Sequence, residues 1–440
     1  MRNLITKMIG LDSEPLIQSL ASKIDPNNYL DEKIYQEETP SDSKIIDSVQ
    51  ILCNTAIGSG TLMVPYCYTS GVGSSLLMSL LFAFIGFATL SFFCLASHFT
   101  KTYDYNGLFT TTFGKGYVWI VQTMIFLVQF GSCIIYCHWI GRLVPKTINH
   151  DDDIGILGNH VFWILIFAAV FVFPLVCLKS IKYLQNLAYL SSACIILLII
   201  HAVYWFIYGQ ANHTVDISEK IVWFKFSPVL ITCMSVYSMG FNCHMNLYPT
   251  LEHQKEATFR KGVKIAFFTD LVVYIIYNVF GIFTYLYLFD NLKNGSALEA
   301  YTQTNILTNI TVGGIVFVMI LSVPIVIWAA RISINDMFWG NQPTTLRWIL
   351  MAFFLTAGSA GFAASSDNVI FFFDIVGGLF TPALIFLLPC LFYLLNQHDE
   401  PFWRIFVACC ICVFTVIVTI ACTYQAIMEV VNAFKNSIFS

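Results

Sequence analysis

Asn54-Thr55-Ala56-Ile57-Gly58-Ser59-Gly60-Thr61-Leu62-Met63-Val64-Pro65-Tyr66 lies midway along an apolar segment that runs from residue 45 to residue 69. The segment is long enough to cross a bilayer, yet it carries Gly-Ser-Gly at its centre. In hydrocarbon each orphaned backbone N–H or C=O costs several kcal/mol, so unwound backbone persists only where it is buried or lines a polar cavity. Two half-helices meeting at such a gap offer free N–H groups on one side and free C=O groups on the other. That suits a small solute carrying both charges, or a cation beside an anion. A Gly-Ser kink used for close helix packing gives the same letters, because small residues also pack membrane helices. The rest of the chain bears on the choice.

Of the 440 residues, 57% are hydrophobic and 11% charged, where a soluble domain is about one quarter charged. Mean hydropathy is +0.72, so a polytopic membrane protein is expected. The formal net charge of −4 argues against nucleic acid as a partner. Nearly all of the 14 cysteines sit inside apolar segments and read as small hydrophobes. Cys409-Cys410-Ile411-Cys412 has no His or carboxylate set beside it to complete a metal site, and no cofactor is expected.

Residues 1–44 mix both charges with Pro and Ser and have no sustained apolar period. They read as a cytosolic, largely disordered tail with no signal peptide. Within the tail, Asp12-Ser13-Glu14-Pro15-Leu16-Ile17 resembles an acidic dileucine sorting signal, in which Asp12, Leu16 and Ile17 would meet a sorting adaptor. The expected organisation is this tail, a membrane domain over 45–434, and a short extracytosolic C-terminus at 435–440.

After the first span come apolar segments at 71–98, 117–145, 159–178, 182–208, 229–250, 263–289, 306–334, 347–365, 369–395 and 403–432. Eleven spans with a cytosolic N-terminus place sixteen Lys and Arg on the cytosolic side and six on the other, which satisfies the positive-inside rule. The loop sequons at Asn212 and Asn294 then fall on the extracytosolic side, where glycosylation happens. A third, at Asn309, lies too close to the membrane to be used.

The sixth span is also interrupted by small and polar residues, Tyr237-Ser238-Met239-Gly240-Phe241-Asn242. Pro249 lies toward its cytosolic end, whereas Pro65 lies toward the extracytosolic end of the first span. Two broken spans, five helices apart and oppositely directed, are what an inverted 5+5 repeat predicts. The eleventh span is then an addition. The 239–242 backbone is expected to line a cavity, in preference to Asn242 and His244 being satisfied polar residues of a helix interface, and the role of His244 stays open. Asp270 and Asp374 are expected near an interface and solvated, and His138 and His201 near extracytosolic span ends. Ser322 precedes Val323-Pro324 in the eighth span; in a 5+5 repeat that helix passes beside the first break, where a hydroxyl can ligate a cation. A lone Ser in a helix ordinarily bonds its own backbone.

The sequence resembles the amino acid/auxin permease family, and within it the sodium-coupled neutral amino acid transporters. The resemblance spans residues 46–432 and rests on Ser48-Val49 through Asn54, Ile57-Gly58-Ser59-Gly60, Pro174-Leu175, Cys243-His244 with Pro249, Leu321-Ser322-Val323-Pro324, and Asp374-Ile375-Val376-Gly377 through Leu388-Pro389. It implies an all-α, leucine-transporter-type fold and amino acid transport by alternating access. By position, Thr55, Ile57 and the Gly58, Ser59 and Gly60 amides would receive the substrate carboxylate. Carbonyls around Ser238, Met239, Gly240 and Asn242 would receive the ammonium. Asn54 stands where the family has a sodium-linked Asn, and Ser322 where sodium-coupled relatives have Thr. Pro65 is a larger departure, more like the proton-coupled and vacuolar branches, so sodium and proton both remain as coupling ion. An extracytosolic disulfide of some relatives has no cysteines here.

The leading expectation is a secondary amino acid transporter, its partners an amino acid and membrane lipid. An amino acid sensor using the same site is the alternative. A membrane enzyme lacks any His/Glu metal pattern or phosphate loop at a membrane face. The sorting signal and Pro65 favour a vacuolar, lysosomal or endosomal membrane over the plasma membrane. Changing Leu16 and Ile17 to Ala should therefore move a tagged protein to the cell surface, scored by surface labelling. A wild type already resident at the plasma membrane would make the motif a chance match.

Overall fold

The structure is a computed structural model that describes residues 44–148, 155–178, 188–213, 221–251, 259–292, 297–301, 305–340, 342–366, 368–397 and 400–439. The sorting signal at Asp12, Leu16 and Ile17 and the sequon at Asn294 lie outside these residues. The described secondary structure is helical throughout.

The first span is two half-helices, α1 (Ile45–Ala56) and α2 (59–70). Four spans complete the first half: α3 (Val72–Thr100), α4 (Val118–Ile148), α5 (His160–Cys177) and α6 (Ala188–Ala211). The sixth span is again divided, into α7 (Val229–Gly240) and α8 (244–251). Then follow α9 (Phe259–Leu288), α10 (Ile306–Phe338), α11 (Thr345–Ala364), α12 (Val369–Asn396) and α13 (Phe402–Phe439). Nine described helices are long and apolar enough to cross a membrane. The two divided spans bring the total to the eleven expected. Residues 435–439, expected as a separate terminus, continue α13.

Which helices pack together follows the expected repeat. Near a two-fold axis, equivalent elements meet each other: the third span packs on the eighth (α4 on α10), the second on the seventh (α3 on α9), and the fourth on the ninth (α5 on α11). Other contacts come in exchanged pairs. α6 packs on α9 as α12 packs on α3, and α1 and α2 lie on α9 as α7 lies on α3. α13 covers α7 and α12 from outside the repeat.

Lipid gives apolar helices no hydrophobic reason to associate, so close packing and interhelical hydrogen bonds hold them. Tyr68 of α2 donates to Asn278 Oδ1 of α9 at 2.5 Å, and Ser79 of α3 donates to the same oxygen at 2.9 Å. Ser75 and Tyr237 join α3 to α7 at 2.6 Å. At the outer end, Val72 and Gly73 N–H donate to the Val222 and Trp223 carbonyls, both at 2.9 Å, so the segment entering the sixth span is laid over the start of α3. Gly71 makes this possible: its φ is +106°, and a Cβ there would stand 2.6 Å from the Trp223 oxygen.

The structure corrects the expectation that Asp270 and Asp374 are solvated: they are 2% and 0% exposed. α9 begins at Phe259, so Asp270 lies eleven residues inside it, about 16 Å from its start. Asp374 is enclosed by α7 and α13. His201 and His138 are buried too, and His201 shares a hydrogen-bonded cluster with Thr308 and Trp205. Asn212 follows α6, exposed as its sequon requires, whereas Asn309 is inside α10.

α12 approaches α7 through a wide π-type turn at Val376–Phe380. Any Cβ at Gly377 would strike the Ser235 carbonyl of α7. Gly377→Ala is expected to cost about 1–3 kcal/mol through this overpacking. A lowered thermal unfolding midpoint in detergent checks it, and an unchanged midpoint would refute the contact.

Candidate functional site

α1 ends where its apolar sequence meets Gly58. Ile57 N–H still reaches Cys53 O, but Gly58 N–H turns back to Ala56 O at 2.8 Å. Gly58 is extended at φ −109°, ψ −134°, and the chain restarts with a tight turn at Ser59–Met63. Pro65 falls at the start of the α-helical part of α2, where the N–H it lacks has no intrahelical partner to lose. The sixth span breaks in a similar way. α7 closes with Phe241 N–H on Tyr237 O, and Cys243 N–H bonds Phe241 O at 3.2 Å before α8 begins.

The two breaks face each other. A Cβ on Gly60 would lie 3.6 Å from the Gly240 Cα and N and from the Val236 carbonyl. Tyr277 of α9, fully buried, bridges them: its hydroxyl is 2.8 Å from Ala56 O and 3.0 Å from Gly240 O. These are the carbonyls at the C-terminal ends of α1 and α7, where the helix supplies no further donors; Ala56 O also accepts from Gly58 N–H. One hydroxyl proton serves both. Gly240 is required beneath the ring, since a Cβ there would meet Tyr277 Cε2 at 2.7 Å.

Beside the first break is a cavity of about 20 Å³. Its lining is Ile57, Gly58, Thr61 and Leu62 from the break, Tyr136 of α4, Ile195 and Leu198 of α6, and Ile315, Val318 and Met319 of α10. The Thr61 hydroxyl is buried with no hydrogen-bond partner. A Cβ at Gly58 would collide with the Tyr136 hydroxyl, so that phenol stands directly over the break. The remainder of the wall is apolar and none of it is charged. The space holds about one water, so a larger solute needs these walls to part.

The residues expected at the site fall in different places. Ile57 and Gly58 line the cavity, and Gly60 faces Gly240. Ser59 belongs to the turn by its backbone. Thr55 Oγ1 donates to Ile51 O and accepts from Asn246 Nδ2 of α8, both at 3.0 Å, tying the first break to the sixth span. Ser238 is buried with an unpartnered hydroxyl. Met239 turns toward α12, where its Cβ is 3.4 Å from a Cβ placed on Gly377. Asn242 N–H bonds Met239 O at 3.3 Å in the second break. His244 is buried, its Nε2 2.9 Å from the Thr89 hydroxyl of α3. Asn54 Oδ1 accepts from Ser192 of α6 at 2.9 Å. The Ser322 hydroxyl donates to Val318 O at 2.8 Å within its own helix, keeping its lone pairs. Tyr277, Tyr136 and Thr61 are the participants that the sequence did not disclose.

Two interrupted helices from opposite halves of an inverted repeat, meeting beside a small uncharged cavity, define a carrier of the leucine-transporter type. The chain belongs to the transmembrane amino acid transporter family, whose sequence profile matches residues 41–428. It is similar to the putative sodium-coupled neutral amino acid transporter 11 of Rattus norvegicus, 23% identical over 79% of this chain and 77% of that protein. Vacuolar amino acid transporter 2 of Saccharomyces cerevisiae is 22% identical over 87% of this chain and 82% of its own length. Among solved structures, MhsT in complex with L-phenylalanine superposes with a TM-score of 0.59 at 15% identity, covering 89% of this chain and 100% of that one. The expected fold is therefore the observed one. The chain is a multi-pass membrane protein of an amino acid transporter family, not an enzyme.

Tyr277→Phe is expected to leave the buried Gly240 O without its donor, while Ala56 O keeps Gly58 N–H, a cost of about 1–3 kcal/mol. Thermal unfolding of the purified protein measures it. A wild-type midpoint in Tyr277→Phe would show that the bridge carries no energy.

Proposed function

We propose that this protein is a secondary active transporter that moves neutral amino acids by alternating access, coupled to sodium. The observation that carries the reading is the cavity wall: polar atoms gather at the Gly58 break, at Thr61 and Tyr136, and every other lining side chain is uncharged. With the expected Gly58 amide already bonded to Ala56 O, a carboxylate placed at the Ser59 and Gly60 amides would lie at the start of α2. Its ammonium would compete with the Tyr277 proton for Ala56 O or Gly240 O. The side chain would then face Ile195, Leu198 and Ile315, a surface with no partner for a charged group.

Sodium would take oxygens from Asn54, Ser322 and nearby carbonyls. Neutral ligands suit a monovalent ion that must leave each cycle. The names of the rat relative and of the sodium-coupled neutral amino acid symporter 2 of Danio rerio support this choice. The yeast relative's name supports residence in a vacuolar or related membrane. A second reading, proton coupling, draws on Asp270, whose two carboxylate oxygens have no hydrogen-bond partner where they lie against Gly86.

Uptake of each neutral amino acid into proteoliposomes, with sodium and pH gradients imposed separately, tests the proposal. Sodium-driven uptake is expected, lost in Gly60→Val and with a several-fold weaker apparent sodium affinity in Ser322→Ala. Uptake that ignores replacement of sodium by choline yet collapses with the proton gradient would overturn the sodium reading. Binding without turnover would identify a sensor.

A further inference from the structure

Asp374 sits five residues inside α12, about 8 Å along its axis, and is fully buried. Ionisable groups at such depth are rare and are functional candidates by default. Its Oδ2 accepts from Gln425 Nε2 of α13 at 2.9 Å, and the same nitrogen donates to Thr232 Oγ1 of α7 at 2.6 Å. Both amide protons are thereby used. The Gln425 carbonyl oxygen is left buried with no partner, as are Asp374 Oδ1 and the Ser235 hydroxyl.

These oxygens belong to one place. Thr232 and Ser235 are three residues apart on α7, on the same face. A Cβ at Gly378, one turn beyond Asp374, would stand 2.8 Å from Ser235 Oγ, so that hydroxyl is aimed at the carboxylate-bearing face of α12. Side-chain oxygens from three helices therefore converge around one carboxylate, and no described basic side chain pairs with it. What the cluster lacks is positive charge.

We propose that Asp374, Gln425, Ser235 and Thr232 form a sodium-binding site, separate from the Asn54–Ser322 region. Hard cations take oxygen ligands, and one carboxylate among neutral oxygens compensates a single positive charge. The site lies at the end of α12 that the Lys and Arg distribution assigns to the extracytosolic side. A second carboxylate, Glu429, is one turn along α13 from Gln425 and meets Asn368 at the start of α12 at 3.5 Å. Together they form an acidic entry path that raises the local cation concentration. α13, outside the repeat, thus supplies a ligand. The role of this ion in transport rests on the proposed function; its binding does not.

Equilibrium binding of radioactive sodium to the purified full-length protein, with choline holding ionic strength, tests the site. Asp374→Asn should lower the bound sodium by one ion per chain, and Gln425→Leu should weaken binding several-fold. Ser322→Ala should leave this ion in place. Unfolding midpoints in choline show that each variant is folded; if Asp374→Asn is not, Gln425→Leu decides. Wild-type stoichiometry and affinity in the folded variants would overturn the site. So would a wild type that binds no sodium and responds only to pH, which would make the occupant a proton. If sodium binds as described but no amino acid is taken up, the proposed function fails and the site stands.

Discussion

A backbone amide or carbonyl inside a membrane must find a partner, and the architecture follows from how the two breaks meet that demand. Ala56 O and Gly240 O end their half-helices in the middle of the protein, where water cannot serve them. Tyr277 reaches both, at 2.8 and 3.0 Å. It can do so only because α9 packs on the first span and α7 ends in a residue without a side chain. Move α9 by one turn and Gly240 O is orphaned, at several kcal/mol in hydrocarbon, and Ala56 O is left with Gly58 N–H alone. The scaffold therefore fixes the register of α9 as firmly as the breaks fix their own sequence.

Symmetry spreads the same constraint. α3 and α9, α4 and α10 pack on their repeat mates, so each broken span leans on unbroken helices from the other half. Side-chain ties replace the missing helical bonds: Thr55 to Asn246 across the two breaks, and Asn54 to Ser192 of α6. These are single hydrogen bonds between uncharged groups, each worth about 0.5–1.5 kcal/mol. Ties of that size hold a closed arrangement and still let it open.

Much of this was legible in the sequence. Glycines at 58, 60 and 240 inside apolar runs, with prolines displaced to opposite ends, announced two breaks and their inversion. Tyr277 was not legible, because a tyrosine in an apolar helix looks like any other buried aromatic until the helix register is known. Met239 shows the converse limit. Its carbonyl, expected to receive the ammonium, accepts from Asn242 N–H at 3.3 Å, and its Cβ turns toward Gly377 of α12. Asp270 and Asp374 were misplaced because hydropathy marks where an apolar run begins. It does not report how far a helix extends before it, or which neighbours close over it.

The bridge also bears on how binding and closure are linked. The Tyr277 hydroxyl lies between Gly240 O and Ala56 O, the latter also accepting from Gly58 N–H. Under the proposed function a bound ammonium would add positive charge there, and would do so best when the two carbonyls are held together. Such an occupant has a larger interaction with the closed arrangement than with one whose breaks have separated. A ligand shifts a conformational equilibrium only by such a difference in affinity. The cavity beside the break measures about 20 Å³, so under the proposed function its apolar walls would have to part to admit a side chain, and the charged end of the solute would draw the carbonyls together around itself.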